Sequence, residues 1–210
     1  TARVINENPF VGLDASALDA LNSLETVSNA LVKFRPEPHL QTPQALARPS
    51  AVLIGLFQSA HGVEVILTRR SHQLTNHRGE ISFPGGRLDD GETVVAAALR
   101  ETQEEIGINP SEAQVIAELS GMATVVSNSH IVPVVAIYKD VPKMQPMNSE
   151  VDRVFTAPLS ELARTDTYSQ ENWKFPDREL QINFFYLDDE TIWGATARML
   201  LQVMKLTLKL

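Results

Sequence analysis

Between Gly86 and Ile108 the chain reads GRLDDGETVVAAALRETQEEIGI, which fills the pattern G-x5-E-x7-R-E-x-x-E-E-x-G without a gap. The spacing predicts a helix over its second half, with Val95, Leu99, Thr102 and Ile106 recurring at intervals of 4, 3 and 4. At about 100° per residue these four share a narrow arc. Glu101, Glu104 and Glu105 fall on a separate arc. Carboxylates crowded on one helix face repel each other unless a cation sits among them. Hard oxygen donors at that density suit Mg²⁺ or Mn²⁺, ions that bridge protein carboxylates to substrate phosphates. A solvated acidic helix face is the plainer alternative. The glycines argue against it: Gly85 and Gly86 permit close backbone approach to a ligand or metal, and Gly107 is placed to end the helix in the left-handed region.

This array resembles the signature box of the Nudix hydrolases at every fixed charged and glycine position; Thr102 stands where that family usually has an aliphatic residue. A second motif lies just upstream. Leu67-Thr68-Arg69-Arg70-Ser71, followed by His77-x-Gly79-x3-Phe83-Pro84-Gly85-Gly86, resembles the additional signature of the coenzyme A pyrophosphatases in that family, LTxRS-x3-R-x3-G-x3-FPGG. Thr75 occupies the place of that signature's Arg, and Arg78 lies three residues on. The run Ile192–Ala197 is also similar to the last helix of these enzymes. The resemblance covers about residues 50 to 207. It implies an α/β fold, a Nudix-type α/β/α sandwich with a mixed central sheet, preceded by an N-terminal helix and connector over residues 1–49.

The rest of the chain is consistent with an α/β layered architecture. Residues 14 to 33 show helical periodicity, with Leu18, Leu21, Leu24, Val27 and Leu31 on one side. Pro36, Pro38, Pro43 and Pro49 mark an extended connector. Strands are expected at 51–57 and 63–68 around a turn at 59–62, then at 114–119, 131–138 and 154–159. Residues 71 to 85 read as a loop. A short helical turn follows at 160–164, then a hairpin about Pro176-Asp177 and a last helix over roughly 190 to 207. Cysteine is absent, which excludes disulfides and thiolate sites. The net charge is −8, from 18 Lys+Arg against 26 Asp+Glu, which disfavours a nucleic-acid partner. No apolar run of about 18 residues predicts a membrane span. The first ten residues lack the basic and apolar regions of a signal peptide, so a cytoplasmic location is expected.

Against that negative charge, Arg69, Arg70, His77 and Arg78 gather within ten residues. Arginine binds phosphate oxygens bidentately. Neighbours on a strand point to opposite faces, so one member of the Arg69/Arg70 pair is expected to serve a pocket and the other not. His77 reads equally as a substrate contact or a hydrogen-bonded structural residue. Phe83 reads as a packing residue, and Trp193 as a core cap or a stacking surface for adenine.

The resemblance implies metal-dependent hydrolysis of the diphosphate of coenzyme A or a derivative, to 3′,5′-ADP and 4′-phosphopantetheine. Glu101, Glu104 and Glu105, with the Gly85 carbonyl, would hold Mg²⁺ or Mn²⁺, and Arg100, paired with Glu92, would orient a box carboxylate. The base would be a box glutamate or a distal carboxylate, for which Glu150 is the candidate; a surface role for Glu150 is the alternative. The implied partners are a small-molecule substrate and, at most, a second copy of the chain. Two other readings stand beside this one: a Nudix pyrophosphatase of ADP-ribose, a dinucleotide or a damaged nucleotide, and a non-catalytic ligand-binding member.

Overall fold

Strand β1 (Arg48–Ser59) is hydrogen-bonded along both edges, which explains its nearly continuous apolar run. The computed structural model describes residues 8–43, 47–75, 77–124, 128–174 and 179–210. On one edge β1 runs parallel to β7 (Ser129–Tyr138), from Arg48↔Ser129 to Phe57↔Tyr138. Its other edge is shared. β4 (Gly85–Arg87) pairs antiparallel with Ser50–Val52, and β2 (Gly62–Arg70) pairs with Leu56–Ser59. β2 continues the sheet through β8 (Val151–Pro158) and β3 (Ile81–Ser82). β5 (Gln114–Glu118) and β6 (Met122–Ala123) close the far side on β7. A second sheet of three antiparallel strands, β9 (Tyr168–Lys174), β10 (Glu179–Tyr186) and β11 (Thr191–Trp193), lies beside the first.

Alternation along β1 sorts its side chains between two apolar layers. Ala51, Leu53 and Phe57 meet Ala97, Ala98 and Ile106 of helix α3 (Val94–Ile106). Ile54 and Leu56 join the opposite layer, with Val27 and Leu31 of α2 (Leu24–Leu31) and Leu200, Val203 and Met204 of α5 (Gly194–Leu208). Phe83 also packs there, as do Tyr168, Phe185 and Ile192 from the second sheet. The result is the expected mixed sheet between helices. Each fully buried Leu, Ile or Val contributes roughly 1.5–3 kcal/mol.

Several elements differ from the sequence expectation. The N-terminal helix is two helices, α1 (Ala15–Ala20) and α2, broken at Leu21–Ser23. Ser23 accepts a hydrogen bond from the Thr26 N–H at 3.2 Å, so a side chain that competes with helix continuation becomes a cap for the next helix. The connector contains a 3₁₀ turn at Pro38–Leu40. The loop after β2 ends in the two short strands β3 and β4, and the β1–β2 turn narrows to Ala60-His61, with Gly62 at φ 103°. Residues 191–193 form a strand rather than the start of the last helix, because Trp193 and Ile192 pair with Phe184 and Phe185. β9 and β10 form the expected hairpin; its tip, residues 175–178, lies outside the described residues. Helix α4 (Leu159–Leu162) supplies the expected short turn. Among the described residues no helix is long and apolar enough to cross a membrane.

Because Leu31 is fully buried in the same layer as α5, the N-terminal helices belong to the core rather than to an appendage. Leu31→Ala should lower the free energy of unfolding by about 2–5 kcal/mol in a single transition. Urea denaturation followed by circular dichroism checks this. A wild-type midpoint, or a separate early transition, would place α2 outside the cooperative unit.

Candidate active site

Helix α3 owes its bounds to its two ends. Thr93 accepts from the Ala96 N–H at 3.2 Å, and Gly107 closes the helix at φ 79°. The glutamates of its last two turns lie at three depths rather than on one exposed face. Glu104 is exposed, its side chain 55% accessible. Glu101 is half-buried, and Glu105 is only 4% exposed. Glu105 follows Ala98 and Thr102 at helical spacing, which carries it into the buried arc that the sequence reading had assigned to apolar residues alone.

Burying that carboxylate is tolerated because a backbone donor faces it. The Gly85 N–H donates to Glu105 Oε2 at 3.1 Å. Burial nevertheless dominates and pushes the Glu105 carboxyl up to about 7, opposed by the Gly85 hydrogen bond and by Arg70. Glu101 is also raised, mainly by burial, against its hydrogen bond to Arg100. Glu150 adds to the upward shift of both Glu101 and Glu105, which locates its negative charge at the same site. A Cβ at Gly86 would displace the Glu101 carboxylate, so this glycine leaves room for it.

Arg100 is the hub of this end of the helix. Its Nε and Nη2 reach the two Glu92 oxygens at 2.9 Å each, and Nη1 reaches Glu101 Oε1 at 2.9 Å and Glu104 Oε2 at 3.2 Å. Nη2 also donates to the Arg87 carbonyl at 3.0 Å. The bidentate guanidinium holds the Glu92 carboxyl at about 2 and raises Arg100 in return. Glu92 accepts from the Asp89 N–H at 3.0 Å, so the loop leading into α3 is tied to the helix through this one carboxylate.

A second loop is fastened to the C-terminal turn of α3, where carbonyls lack helical partners. Gln145 N–H donates to Ile106 O at 3.1 Å, Met147 N–H to Glu105 O at 2.9 Å, and Asn148 Nδ2 to Glu104 O at 3.2 Å. Asn148 Oδ1 then accepts from the Glu150 N–H at 2.9 Å. These contacts bring Glu150 to the box from 45 residues beyond Glu105 (150 − 105). Asn148 is a site residue that sequence reasoning misses. Its signal is an Asn two residues before a candidate carboxylate, a pattern too common to single it out.

The four pre-box cations go to separate places. Arg70 Nη2 lies 3.9 Å from Glu150 Oε2, and its charge is felt at Glu105, so Arg70 is the member of the arginine pair at the carboxylates. Arg69 turns away to Glu190 Oε1 at 3.1 Å, which also accepts from Arg153 Nη1 at 3.0 Å. His77 Nδ1 pairs with Glu80 Oε2 at 2.8 Å. Arg78 donates through Nε to the Leu74 carbonyl and makes no ion pair among the described residues.

The donor chemistry fits a divalent metal. Glu101 and Glu105 are oxygen donors that both feel the negative charge of Glu150, an excess that a cation would relieve. Among the described residues, however, no three acidic or histidine side chains converge in a metal-holding arrangement. Arg100 instead engages Glu101 and Glu104, and the Gly85 N–H engages Glu105.

Comparison with known proteins follows the same outline. The NUDIX domain model matches residues 46–178. The chain is 33% identical over 180 residues to the uncharacterized Nudix hydrolase NudL of Citrobacter koseri, covering 84% of this chain and 92% of that protein. It belongs to the Nudix family. It is also 35% identical over 173 residues to the mitochondrial Nudix hydrolase 15 of Arabidopsis thaliana; the match takes in 75% of this Nudix chain but only 58% of the length of that relative. Among solved structures, a MutT/nudix family protein from Enterococcus faecalis aligns with a TM-score of 0.51 over 92% of this chain and 73% of its own, at 15% identity, a likeness of fold.

The two box glycines differ in what a methyl group would strike. At Gly85, φ 155°, it would meet the Ala51 carbonyl and the Val52 backbone, neither of which can yield. At Gly86 it would meet only the movable end of Glu101. Gly85→Ala should therefore destabilise the protein by more than about 2 kcal/mol, and Gly86→Ala by less than about 1 kcal/mol. Only Gly86→Ala should give a folded protein with weakened Mn²⁺ binding. Thermal melts and Mn²⁺ titrations of the two variants decide; equal melting temperatures would refute the difference.

Proposed function

We infer that the protein is a metal-dependent pyrophosphatase that hydrolyses the diphosphate of coenzyme A or a derivative, giving 3′,5′-ADP and 4′-phosphopantetheine or its acylated form. The observation that carries this reading is Arg70. It comes from the pre-box segment that resembles the coenzyme A signature, and its guanidinium lies 3.9 Å from Glu150, with its charge felt at Glu105. A strongly anionic ligand on an acidic protein needs such a cation beside its reacting phosphates. Residues 50–210 would form the hydrolase domain, with residues 1–49 adding helices and connector.

Glu101, Glu104 and Glu105, with the Gly85 carbonyl, would hold Mg²⁺ or Mn²⁺, which when bound neutralises diphosphate charge and lowers the pKa of a bound water. Arg70 would bind a phosphate oxygen opposite that site. Arg100 positions Glu101 and Glu104 and touches no substrate. In the reaction, a water oxygen bonds to one phosphorus in line and the bridging P–O bond breaks on the far side. The water proton passes to a carboxylate. Glu104, exposed and loosely held, and Glu150, anchored through Asn148, are the two candidates for that base. Thr75, which lacks the cation of the coenzyme A signature, favours the second reading, a Nudix pyrophosphatase of another nucleoside diphosphate derivative.

A panel of diphosphates assayed with Mg²⁺ and Mn²⁺, with products identified by mass, separates the readings. Coenzyme A should be the best substrate, with kcat/KM roughly tenfold above that of dephospho-coenzyme A if an arginine holds the 3′-phosphate. A preference for ADP-ribose or a dinucleotide would establish the second reading instead.

Glu104→Gln should lower turnover by about a hundredfold or more at saturating Mg²⁺ and leave the melting temperature unchanged, since an exposed carboxylate adds little stability. For Glu150→Gln, a base predicts a fall in kcat far larger than any rise in KM. An unaltered kcat would leave the box glutamates alone in that role.

A further inference from the structure

Beyond the carboxylates, one cleft has the composition of a ligand site. It encloses about 380 Å³ between the segment Arg78–Glu80 and the outward face of the second sheet. That volume lies within the range of small-molecule sites. Its floor is aromatic. Phe184 and Trp193 are directly opposed across β10 and β11, with ring centroids 6.3 Å apart and planes 10° from parallel. Trp173 lies 6.3 Å from each, at 27° to Trp193 and 37° to Phe184. Trp173 remains 38% exposed. Near-parallel rings of this kind offer an aromatic surface that suits another flat ring better than an aliphatic chain.

The walls bear on the charge of the ligand. Of the two carboxylates that line the cleft, Glu190 is paired with Arg69 and Arg153, and Glu80 is hydrogen-bonded to His77. Arg78, also in the lining, has no such partner among the described residues. The cleft therefore offers a guanidinium with no ion pair among the described residues beside an aromatic surface, the pairing that recognises a nucleotide. The same wall is continuous with the reaction site. Gly79 N–H donates to the Arg70 carbonyl and Arg70 N–H to the Glu80 carbonyl, both at 3.0 Å. One short backbone ladder thus has Arg70 reaching the box carboxylates and Gly79–Glu80 walling the cleft.

We propose that this cleft binds the purine ring of the nucleotide half of the substrate on Trp173, Phe184 and Trp193, with Arg78 meeting a nucleotide phosphate. The proposal rests on the pyrophosphatase reading, which it extends by assigning the end of the substrate that the box does not hold.

The chain has only two tryptophans, and both line the cleft, so intrinsic fluorescence reports on it directly. The full chain is titrated in metal-free buffer with adenosine 3′,5′-bisphosphate, with adenosine and with 4′-phosphopantetheine. The two adenine compounds should quench the emission, the bisphosphate at lower concentration, and 4′-phosphopantetheine should not. Arg78→Ala should remove the advantage of the bisphosphate over adenosine. Trp193→Leu should raise KM for coenzyme A roughly tenfold or more with kcat retained. Trp173→Leu, at a more exposed position, repeats the test if the first variant fails to fold. Quenching by adenosine 3′,5′-bisphosphate without hydrolysis of coenzyme A would uphold the cleft and overturn the substrate assignment. Hydrolysis of coenzyme A without quenching, or with KM unchanged in a folded Trp variant, would overturn the cleft. So would quenching that grows only with protein concentration, which would mean that a second copy covers this face.

Discussion

A single hydrogen bond, from the Gly85 N–H to the buried carboxylate of Glu105, holds together most of what the site requires. An isolated carboxylate at 4% exposure would be costly to keep charged. The bond that offsets this cost also fixes the distance between β4 and α3. β4 is in turn paired with β1, at the middle of the sheet, so the helix that carries the glutamates is registered against the strand on which the fold is built. The site is thus set by main-chain geometry, and loop side chains only complete it.

Around that bond the electrostatics are divided. Arg100 neutralises the outer carboxylates and ties Glu92 and the Arg87 carbonyl to the helix. Among the described residues Arg70 is the cation whose charge acts on Glu105, and burial, more than the neighbouring carboxylates, raises its carboxyl. A buried carboxyl shifted in this way beside a charged partner is a common property of functional sites.

Much of the fold was legible in the sequence because its strands and helices carry clean apolar patterns. The box helix, the β1–β2 hairpin, the β9–β10 pair and the layered α/β class all follow from periodicity and turn residues. The misses share a physical origin. β3, β4, β6 and β11 are two or three residues long, too short for any period to register, and they exist because a neighbouring strand offers free donors and acceptors. The helix break at Leu21–Ser23 turns on a cap that competes with an otherwise continuous pattern. For the site, residue types and spacing picked out the glutamates, but depth was invisible: helical phase alone did not show that Glu105 is buried while Glu104 is exposed. The basic cluster was legible as composition and misleading as geometry, since Arg69, Arg70, His77 and Arg78 each find a different partner.

The forked edge of β1 has a consequence for how such a protein can change over time. β4 regains the sheet on β1 independently of β2, and the connection between them is fastened at several points, among them the paired Arg70, Gly79 and Glu80 backbones, the His72 N–H on Asp152 and the buried Ile81 and Phe83. A change of length in that connection leaves both strands in register only where it falls between those points. Thr75 lies on this connection and not in the sheet, so exchanging its side chain leaves the pairing of β1 with β2 and β4 as it is.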